Sequence, residues 1–174
     1  MNKKQFFASS VAVLALLSFV GMTSVAGADP TSSHSGGANA VVTGPIRIDQ
    51  SDPTVAYLTG RYTCPASSEP AHLFVSAKQV AGGKPDSRLK EEGSSQYTYP
   101  DGGWLLRHPG PTEFTCDGTW HTGTWEFSSH SPAPDDYGHG SLVPGTVYVQ
   151  FCWDGPGETP AWHAYFEQFA RASY

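Results

Sequence analysis

The chain has 174 residues and a formal net charge of −6, with 10 Lys and Arg against 16 Asp and Glu. An acidic chain lacks the basic surface needed to bind nucleic acid or anionic membranes, so we expect neither partner. Charged residues make up only 15% of the sequence, which also holds 19 Gly and 14 Pro. This composition is typical of a turn-rich all-β domain rather than a helical one.

The first 28 residues have the pattern of a cleaved export signal. Lys3 and Lys4 precede an almost wholly apolar run at 11–20, and the small residues at 26–28 (Ala-Gly-Ala) suit a signal peptidase. The run is shorter than the roughly 20 apolar residues of a transmembrane helix, so we expect no membrane insertion. Loss of both lysines changes the charge from −6 to −8 in the mature chain. We expect a secreted, extracellular protein that folds where thiols oxidise.

The remainder of the chain divides into a leader and one domain. Residues 29–40 are small and polar without periodicity, and we expect a disordered leader there. From residue 41 to 174, short extended runs alternate with Gly, Pro, Asp and Ser, which predicts a single domain of strands. The expected strands are 41–49, 55–64, 72–80, 104–106, 112–116, 120–127 and 145–153. The segment 161–174 fits either a strand or a short helix. About seven strands at this spacing predict an immunoglobulin-like β-sandwich.

The aromatic residues are the strongest indication of a binding surface. Five tryptophans are more than one small core is expected to hold. Trp120 and Trp125 have opposite parity, so one of them should face outward if their strand is regular. An exposed aromatic platform suits sugar rings or a partner protein, and the candidate binding residues are Trp104, Trp120, Tyr97 and Tyr99. The alternative is that these rings belong to the core and protect strand edges.

Three cysteines allow one disulfide and leave one thiol over. Cys64 shares a face with Tyr62, and Cys116 shares a face with Phe114, so parity favours a bridge between Cys64 and Cys116. Cys152 has the opposite parity to the apolar side chains of its strand. It is either a buried thiol that behaves as a small hydrophobe or an exposed thiol that joins a second chain into a dimer.

The segments around these cysteines resemble a known family. Tyr-Thr-Cys at 62–64, Phe-Thr-Cys-Asp-Gly-Thr-Trp-His at 114–121 and Pro-Gly at 144–145 are similar to motifs of small secreted actinobacterial proteins. That family shares a Tyr-x-Cys strand, a Cys-Asp-Gly-x-x-His segment and a Pro-Gly before a closing strand. It is described only as a domain of unknown function with a predicted immunoglobulin-like fold. The similarity spans about residues 41–153.

The resemblance implies export and a disulfide between Cys64 and Cys116. It implies no activity, ligand or catalytic residue. The chain departs from the family's pattern by adding Cys152 and an aromatic tail that begins at Trp162, so the resemblance gives no expectation for those two features.

No stretch of the sequence has the pattern of a catalytic or metal site. A Gly-x-Ser-x-Gly elbow is absent, and the carboxylate pairs at 91–92 and 135–136 are adjacent in sequence rather than set across a cleft. The segment 130–139 holds two histidines and two aspartates without a zinc-site spacing, so a plain surface loop is favoured over a metal site. We expect no enzyme, no cofactor and no metal.

These observations favour a secreted, non-enzymatic binding domain. Its expected partner is an extracellular protein or a polysaccharide, and association with the cell envelope would follow from the latter. The alternative is a secreted inhibitor of an extracellular enzyme that presents the loop 131–140, whose prolines would reduce the entropy lost on binding.

Overall fold

A computed structural model describes residues 31–34 (backbone only), 37–67, 69–90, 102–130, 138–157, 160 and 162–174. The expected signal peptide, residues 1–28, lies outside these ranges. The described residues form nine strands and two short 3-10 helices, which confirms the expected all-β class. None of the described helices is long and apolar enough to cross a membrane.

The nine described strands are numbered in chain order. They are β1 Thr31–His34, β2 Asn39–Val42, β3 Ile46–Ile48, β4 Val55–Thr63, β5 His72–Gln79, β6 Gly103–Arg107, β7 His121–Ser128, β8 Gly145–Asp154 and β9 His163–Ser173. The 3-10 helices are Ala81–Gly83 and Ser87–Lys90.

Seven of the described strands close into a barrel in the order β9, β3, β4, β7, β6, β5 and β8, with β8 pairing back to β9. The β8–β9 hairpin is antiparallel along the whole of β8. β3 completes the ring because it pairs in parallel with β9 and antiparallel with β4. β1 pairs with β9 and β2 with β4. The immunoglobulin-like sandwich is not confirmed, since a sandwich has two separate sheets.

The barrel interior is filled by the inward residues of each strand. On β8 these are Val147, Val149, Phe151 and Trp153, all buried, as the alternation predicts. The Tyr62 ring lies 5.7 Å from the Trp153 ring, so aromatic side chains from opposite strands meet inside. The interior is therefore a packed core rather than an open channel.

A second buried layer lies outside the barrel, on the outward side of β5, β6 and β8. We call this surface the covered face, and its buried outward side chains are Ser76, Lys78, Trp104, Leu106, Tyr148 and Gln150. Leu89 of the second 3-10 helix is fully buried yet lies outside the interior cluster. The Lys90 ammonium lies 5.9 Å from the Phe169 ring, which lies 5.2 Å from the Tyr148 ring. The segment that carries the 3-10 helices therefore packs over this face.

Two expectations for the first strands are corrected. The segment 29–40 is not wholly a disordered leader, because it contains β1 and the start of β2. Strand pairing uses backbone groups, so small polar residues can extend a sheet without apolar alternation. The single strand expected at 41–49 is divided into β2 and β3, since Pro45 lacks an N–H for the ladder.

The later strands also differ in part. The expected strand at 112–116 is wrong, because this segment turns: the Glu113 N–H donates to the Gly110 carbonyl at 2.9 Å. The ambiguous segment 161–174 is a strand, β9, since its pairing with β8 satisfies the backbone along both. The predicted strands at 55–64, 72–80, 104–106, 120–127 and 145–153 are confirmed within one or two residues at either end.

Candidate functional site

The structure separates the four residues expected to form the aromatic patch. Tyr97 and Tyr99 lie outside the described residues. Trp104 is only 5% exposed, and its ring lies beneath the Lys78 ammonium, 4.8 Å away. An exposed platform that includes Trp104 is therefore wrong, because the outward side of β6 belongs to the covered face. Trp120 is 46% exposed and remains a candidate.

Trp120 stands directly before β7 and points away from the barrel interior. Trp125 on the same strand is 2% exposed, so the predicted split between the two tryptophans is confirmed. The Arg61 guanidinium lies 5.1 Å from the centre of the Trp120 ring, a distance at which cation and ring attract each other. This contact orients a large aromatic ring whose surface is about half open to solvent.

The side chains beside Trp120 are mainly polar, and they belong to β2, β3, β4, β7 and the residue that follows β2. We call this surface the threonine face, and its outward residues are Asn39, Val41, Thr43, Arg47, Tyr57, Thr59, Arg61, Trp120, Thr122, Thr124 and Glu126. Thr59 Oγ1 and Thr124 Oγ1 are 2.9 Å apart, and the Thr43 hydroxyl donates to the Thr59 carbonyl at 3.3 Å. Cross-strand pairing thus aligns hydroxyl groups in a row.

A second contact between an arginine and an aromatic ring lies further along the same face. The Arg47 guanidinium is 4.7 Å from the centre of the Tyr57 ring. Glu126 pairs with Tyr57 across β4 and β7, and its negative charge raises the pKa of the Tyr57 hydroxyl. This cross-strand row therefore places a cation, an aromatic ring and an anion side by side.

The threonine face ends at an open groove of about 320 Å³. Its lining residues are Arg47, Ile48, Asp49, Gln50, Tyr57 and Tyr174. The Ser51 hydroxyl and the backbone N–H groups of Ser51 and Asp52 donate to Asp49 and hold the pKa of its carboxyl below the usual value. The groove joins two aromatic side chains to amide and charged groups, a mixture that suits a polyhydroxylated ligand.

Trp120 is held in place by the segment that contains the second cysteine. Cys64 and Cys116 form a disulfide, which confirms the predicted pairing. The Gly118 N–H donates to the Cys64 carbonyl at 2.9 Å, and the Thr115 N–H donates to the Tyr62 hydroxyl at 3.0 Å. These three links anchor the chain at the end of β4, just before it reaches Trp120.

A hydrogen-bonded turn completes this anchor. Asp117 accepts from the Thr119 N–H and hydroxyl, both at 2.8 Å, and its carboxylate lies 2.8 Å from His121 Nε2. The bonds from His121 and Thr119 lower the pKa of Asp117 to about 2. The Asp117 carboxylate therefore remains ionised, and able to accept these hydrogen bonds, well below neutral pH.

The remaining candidates lie elsewhere. Cys152 is half-buried on the outer side of β8 and forms no disulfide within the chain, so its role in a dimer stays a prediction. Residues 131–137 of the expected inhibitory loop lie outside the described ranges. The end of that loop is fixed to β6, because His139 forms an antiparallel bridge with Trp104. No group of three or more His, Cys, Asp and Glu among the described residues is arranged to hold a metal ion.

Sequence reasoning identified Trp120 but missed its surroundings. Arg61, Thr59 and Tyr57 occupy the positions of β4 that alternate with its inward residues Leu58 and Tyr62. Their outward direction was therefore available from parity. Their alignment with Arg47, Thr124 and Glu126 was not, because it depends on which strands are neighbours.

Comparison with known proteins assigns no family to the chain. No protein-family model matches it, and no curated protein matches it. The functional proposal therefore depends on the residues and their arrangement.

Proposed function

We propose that the protein is an exported, non-enzymatic domain that binds an extended polysaccharide along the threonine face. The observation that carries this proposal is Trp120, a ring that is 46% exposed among side chains that are mainly polar. A sugar presents a patch of C–H groups, which stacks on an aromatic ring, and a rim of hydroxyls, which hydrogen-bond to neighbouring polar groups. Trp120 supplies the ring, and Arg61 and Thr122 lie beside it on the paired strands β4 and β7.

The composition of the face favours a polysaccharide over a protein partner. The centre of a protein interface is usually apolar, with a polar rim around it. On the threonine face the centre is a row of threonines, Thr43, Thr59 and Thr124, and the aromatic rings lie towards its two ends. The exposed large apolar side chains of the described residues are Trp120, Tyr165 and Tyr174, and they form no contiguous patch.

The length of the face also fits a chain-like ligand. Trp120 and Glu126 are six residues apart, which corresponds to about 20 Å along a strand. The groove lined by Arg47, Tyr57 and Tyr174 lies at the far end. An extended polymer would contact Trp120, the threonine row and this groove in succession, so weak contacts with single sugars would add up.

The ionisable groups of the described residues support a non-enzymatic role. In a hydroxyl–histidine–carboxylate relay, the histidine contacts the hydroxyl through one ring nitrogen and the carboxylate through the other. Thr119 Oγ1 and Asp117 Oδ1 both approach the same atom, His121 Nε2, at 3.2 and 2.8 Å. In this arrangement the histidine does not stand between the hydroxyl and the carboxylate, and the hydroxyl donates directly to Asp117 at 2.8 Å, so the three groups form a turn rather than such a relay.

The test is retention of the purified protein on a panel of insoluble and soluble polysaccharides. We expect Trp120→Ala to weaken binding to the retained polysaccharide by about tenfold or more, the loss typical of an aromatic anchor. Tyr165→Ala is the matched control, since Tyr165 is an exposed ring on β9, away from the threonine face, and it should bind like the unmodified protein.

Two results would contradict the proposal: no retention on any polysaccharide, or equal retention of the Trp120→Ala variant and the unmodified protein. The alternative role as an inhibitor of an extracellular enzyme stays a prediction, because the residues that would carry it, 131–137, lie outside the described ranges.

A further inference from the structure

The threonine face contains the same contact twice, an arginine beside an aromatic ring. Arg61 lies beside Trp120 at 5.1 Å and Arg47 beside Tyr57 at 4.7 Å. Arg61 and Tyr57 both belong to β4 and are four residues apart, which places the two contacts about 13 Å from each other along the strand. A repeated contact along one line matches a ligand with a repeated chemical group.

Neither arginine forms a direct ion pair with a described carboxylate, although Asp49 lies in the same groove as Arg47, close enough for the Arg47 charge to contribute to its lowered pKa. The ion pairs of the described residues involve Arg88, Arg107, His121 and His163, and no described carboxylate lies within 4.0 Å of the guanidinium of Arg47 or Arg61. Asp117, the acidic residue closest to Trp120 in sequence, is bound to Thr119 and His121 instead. On a chain with a net charge of −6, a cation such as Arg61, beside an exposed ring and without a described carboxylate within 4.0 Å, indicates an anionic ligand.

A guanidinium beside an exposed aromatic ring favours a carboxylate that is attached to a sugar ring. A guanidinium that stacks on a ring uses its flat face, so its N–H edge remains available for two parallel hydrogen bonds to a carboxylate. In a uronic acid the carboxylate is attached to the sugar ring itself. A uronic acid that stacks on the open part of the Trp120 ring on the side of Arg61 would bring its carboxylate towards that guanidinium.

We infer that the polysaccharide bound by the threonine face is acidic, with carboxylates on its sugar rings, and that Arg61 and Arg47 bind two of those carboxylates along the chain. This inference rests on the proposed function, which it makes specific. A polyol phosphate polymer would offer negative charge without a ring to stack on Trp120, and a neutral glycan would offer the ring without the charge.

Two carboxylates oppose this interaction at the second position, Asp49 in the groove beside Arg47 and Glu126 on β7. Glu126 pairs with Tyr57, next to Arg47, and its negative charge acts strongly enough on that site to raise the pKa of Tyr57. Arg61 has no such neighbour among the residues that pair with it, Val41 and Thr122. We therefore expect Arg61 to contribute more than Arg47, and removal of the Glu126 charge to tighten binding.

The experiment uses titration calorimetry to compare an oligogalacturonate with its methyl ester, which has the same sugar rings but carries a methyl group in place of each carboxylate charge. We expect the protein to bind the acid about tenfold more tightly than the ester, the effect of one or two charge-assisted hydrogen bonds. Arg61→Gln should weaken binding of the acid by a larger factor than binding of the ester and so remove most of this preference, whereas Arg61→Lys should restore only part of it. Arg88→Gln is the matched control and should keep the preference, because Arg88 is an exposed arginine on the second 3-10 helix, away from the threonine face.

Two further measurements sharpen the test. Glu126→Gln should bind the acid several-fold more tightly and the ester equally, because only the acid is repelled by that carboxylate. Added salt should weaken binding of the acid and not of the ester, since screening acts on exposed charges.

The outcomes separate this inference from the proposed function. Equal affinity for acid and ester, lost from both on Trp120→Ala, would overturn the inference and leave polysaccharide binding intact. The inference would also be overturned if the Trp120→Ala variant kept the preference for the acid. Tighter binding of a polyol phosphate than of the oligogalacturonate would overturn it too. In either case the ring contact would not contribute to binding. Absence of binding to every polysaccharide would overturn the proposed function and the inference with it.

Discussion

The barrel has two outer faces that the chain treats differently. On the covered face, outward side chains such as Trp104, Leu106 and Tyr148 are buried, with the His139 ring against Trp104 and the Phe169 ring against Tyr148. On the threonine face the outward side chains are mainly Thr, Arg, Asn and Glu, and most are exposed to solvent. Large apolar side chains are buried where a cover exists, alongside the polar Ser76, Lys78 and Gln150, and the outward side chains are mainly polar where no cover is described. Trp120 is the large aromatic residue that is exposed on this polar face. This contrast is the reason to propose a binding role for Trp120 rather than a role in core packing.

The two tryptophans test this contrast most directly. Trp104→Ala should lower the free energy of unfolding by about 3–5 kcal/mol, because it empties a buried site. Trp120→Ala should change it by only about 0.5 kcal/mol, as surface substitutions usually do. Urea unfolding followed by circular dichroism measures both.

The smaller substitution Trp104→Phe keeps the comparison interpretable if Trp104→Ala does not fold. It should cost less than the alanine variant, since a ring remains beneath the Lys78 ammonium. Similar losses for Trp104→Ala and Trp120→Ala would mean that the two faces are not differently packed, and the argument for a functional Trp120 would fail.

Loss of the disulfide should increase local opening chiefly at the end of the threonine face that carries Trp120. Replacing both Cys64 and Cys116 by Ala should cost about 2–5 kcal/mol, the usual effect of removing a native disulfide. Because the bond anchors the segment that leads to Trp120, amide exchange should rise first at residues 112–121 and hardly at the covered face. Uniform loss of protection in both regions would instead mean that the bond stabilises the barrel as a whole.

The sequence allowed prediction of the inward side of most strands and of the disulfide, because both follow from local alternation. Leu58 and Tyr62 on β4, or Phe151 and Trp153 on β8, are recognisable as core residues without knowing their neighbours. Whether the sheet closes was not predictable, since a barrel and a sandwich bury the same alternate residues. Closure depends on the parallel pairing of β3 with β9, which joins distant parts of the chain.

The same limitation explains what was missed in the candidate site. Trp104 and Trp120 both have outward parity on their strands, and only the packing of a separate segment makes one of them buried. The contact of Arg47 with Tyr57 requires β3 to lie beside β4, and that of Arg61 with Trp120 requires β7 to do so. Residue type and parity therefore indicated a surface, whereas its composition in space depended on strand order.

The two faces can also be compared through the pKa of one tyrosine on each. Tyr148 lies on the covered face, where burial and then the charge of Glu167 raise the pKa of its hydroxyl. Tyr57 lies on the threonine face, where the charge of Glu126 is the main cause of a raised pKa. Since free tyrosine ionises at about pH 10, NMR of the ring carbons should detect Tyr57 titrating above that value while Tyr148 keeps its proton.

The variants distinguish the two causes. Glu126→Gln should lower the midpoint of Tyr57 towards the free value and leave Tyr148 unchanged. For Tyr148 the sign follows from linkage: above about pH 10 the unfolded chain loses this proton and the folded chain retains it, so the free energy of unfolding falls as the pH rises. Tyr148→Phe should flatten that decline. If Tyr148 titrates together with Tyr57 in the folded protein, water reaches the covered face, and the cover is less complete than its buried side chains indicate.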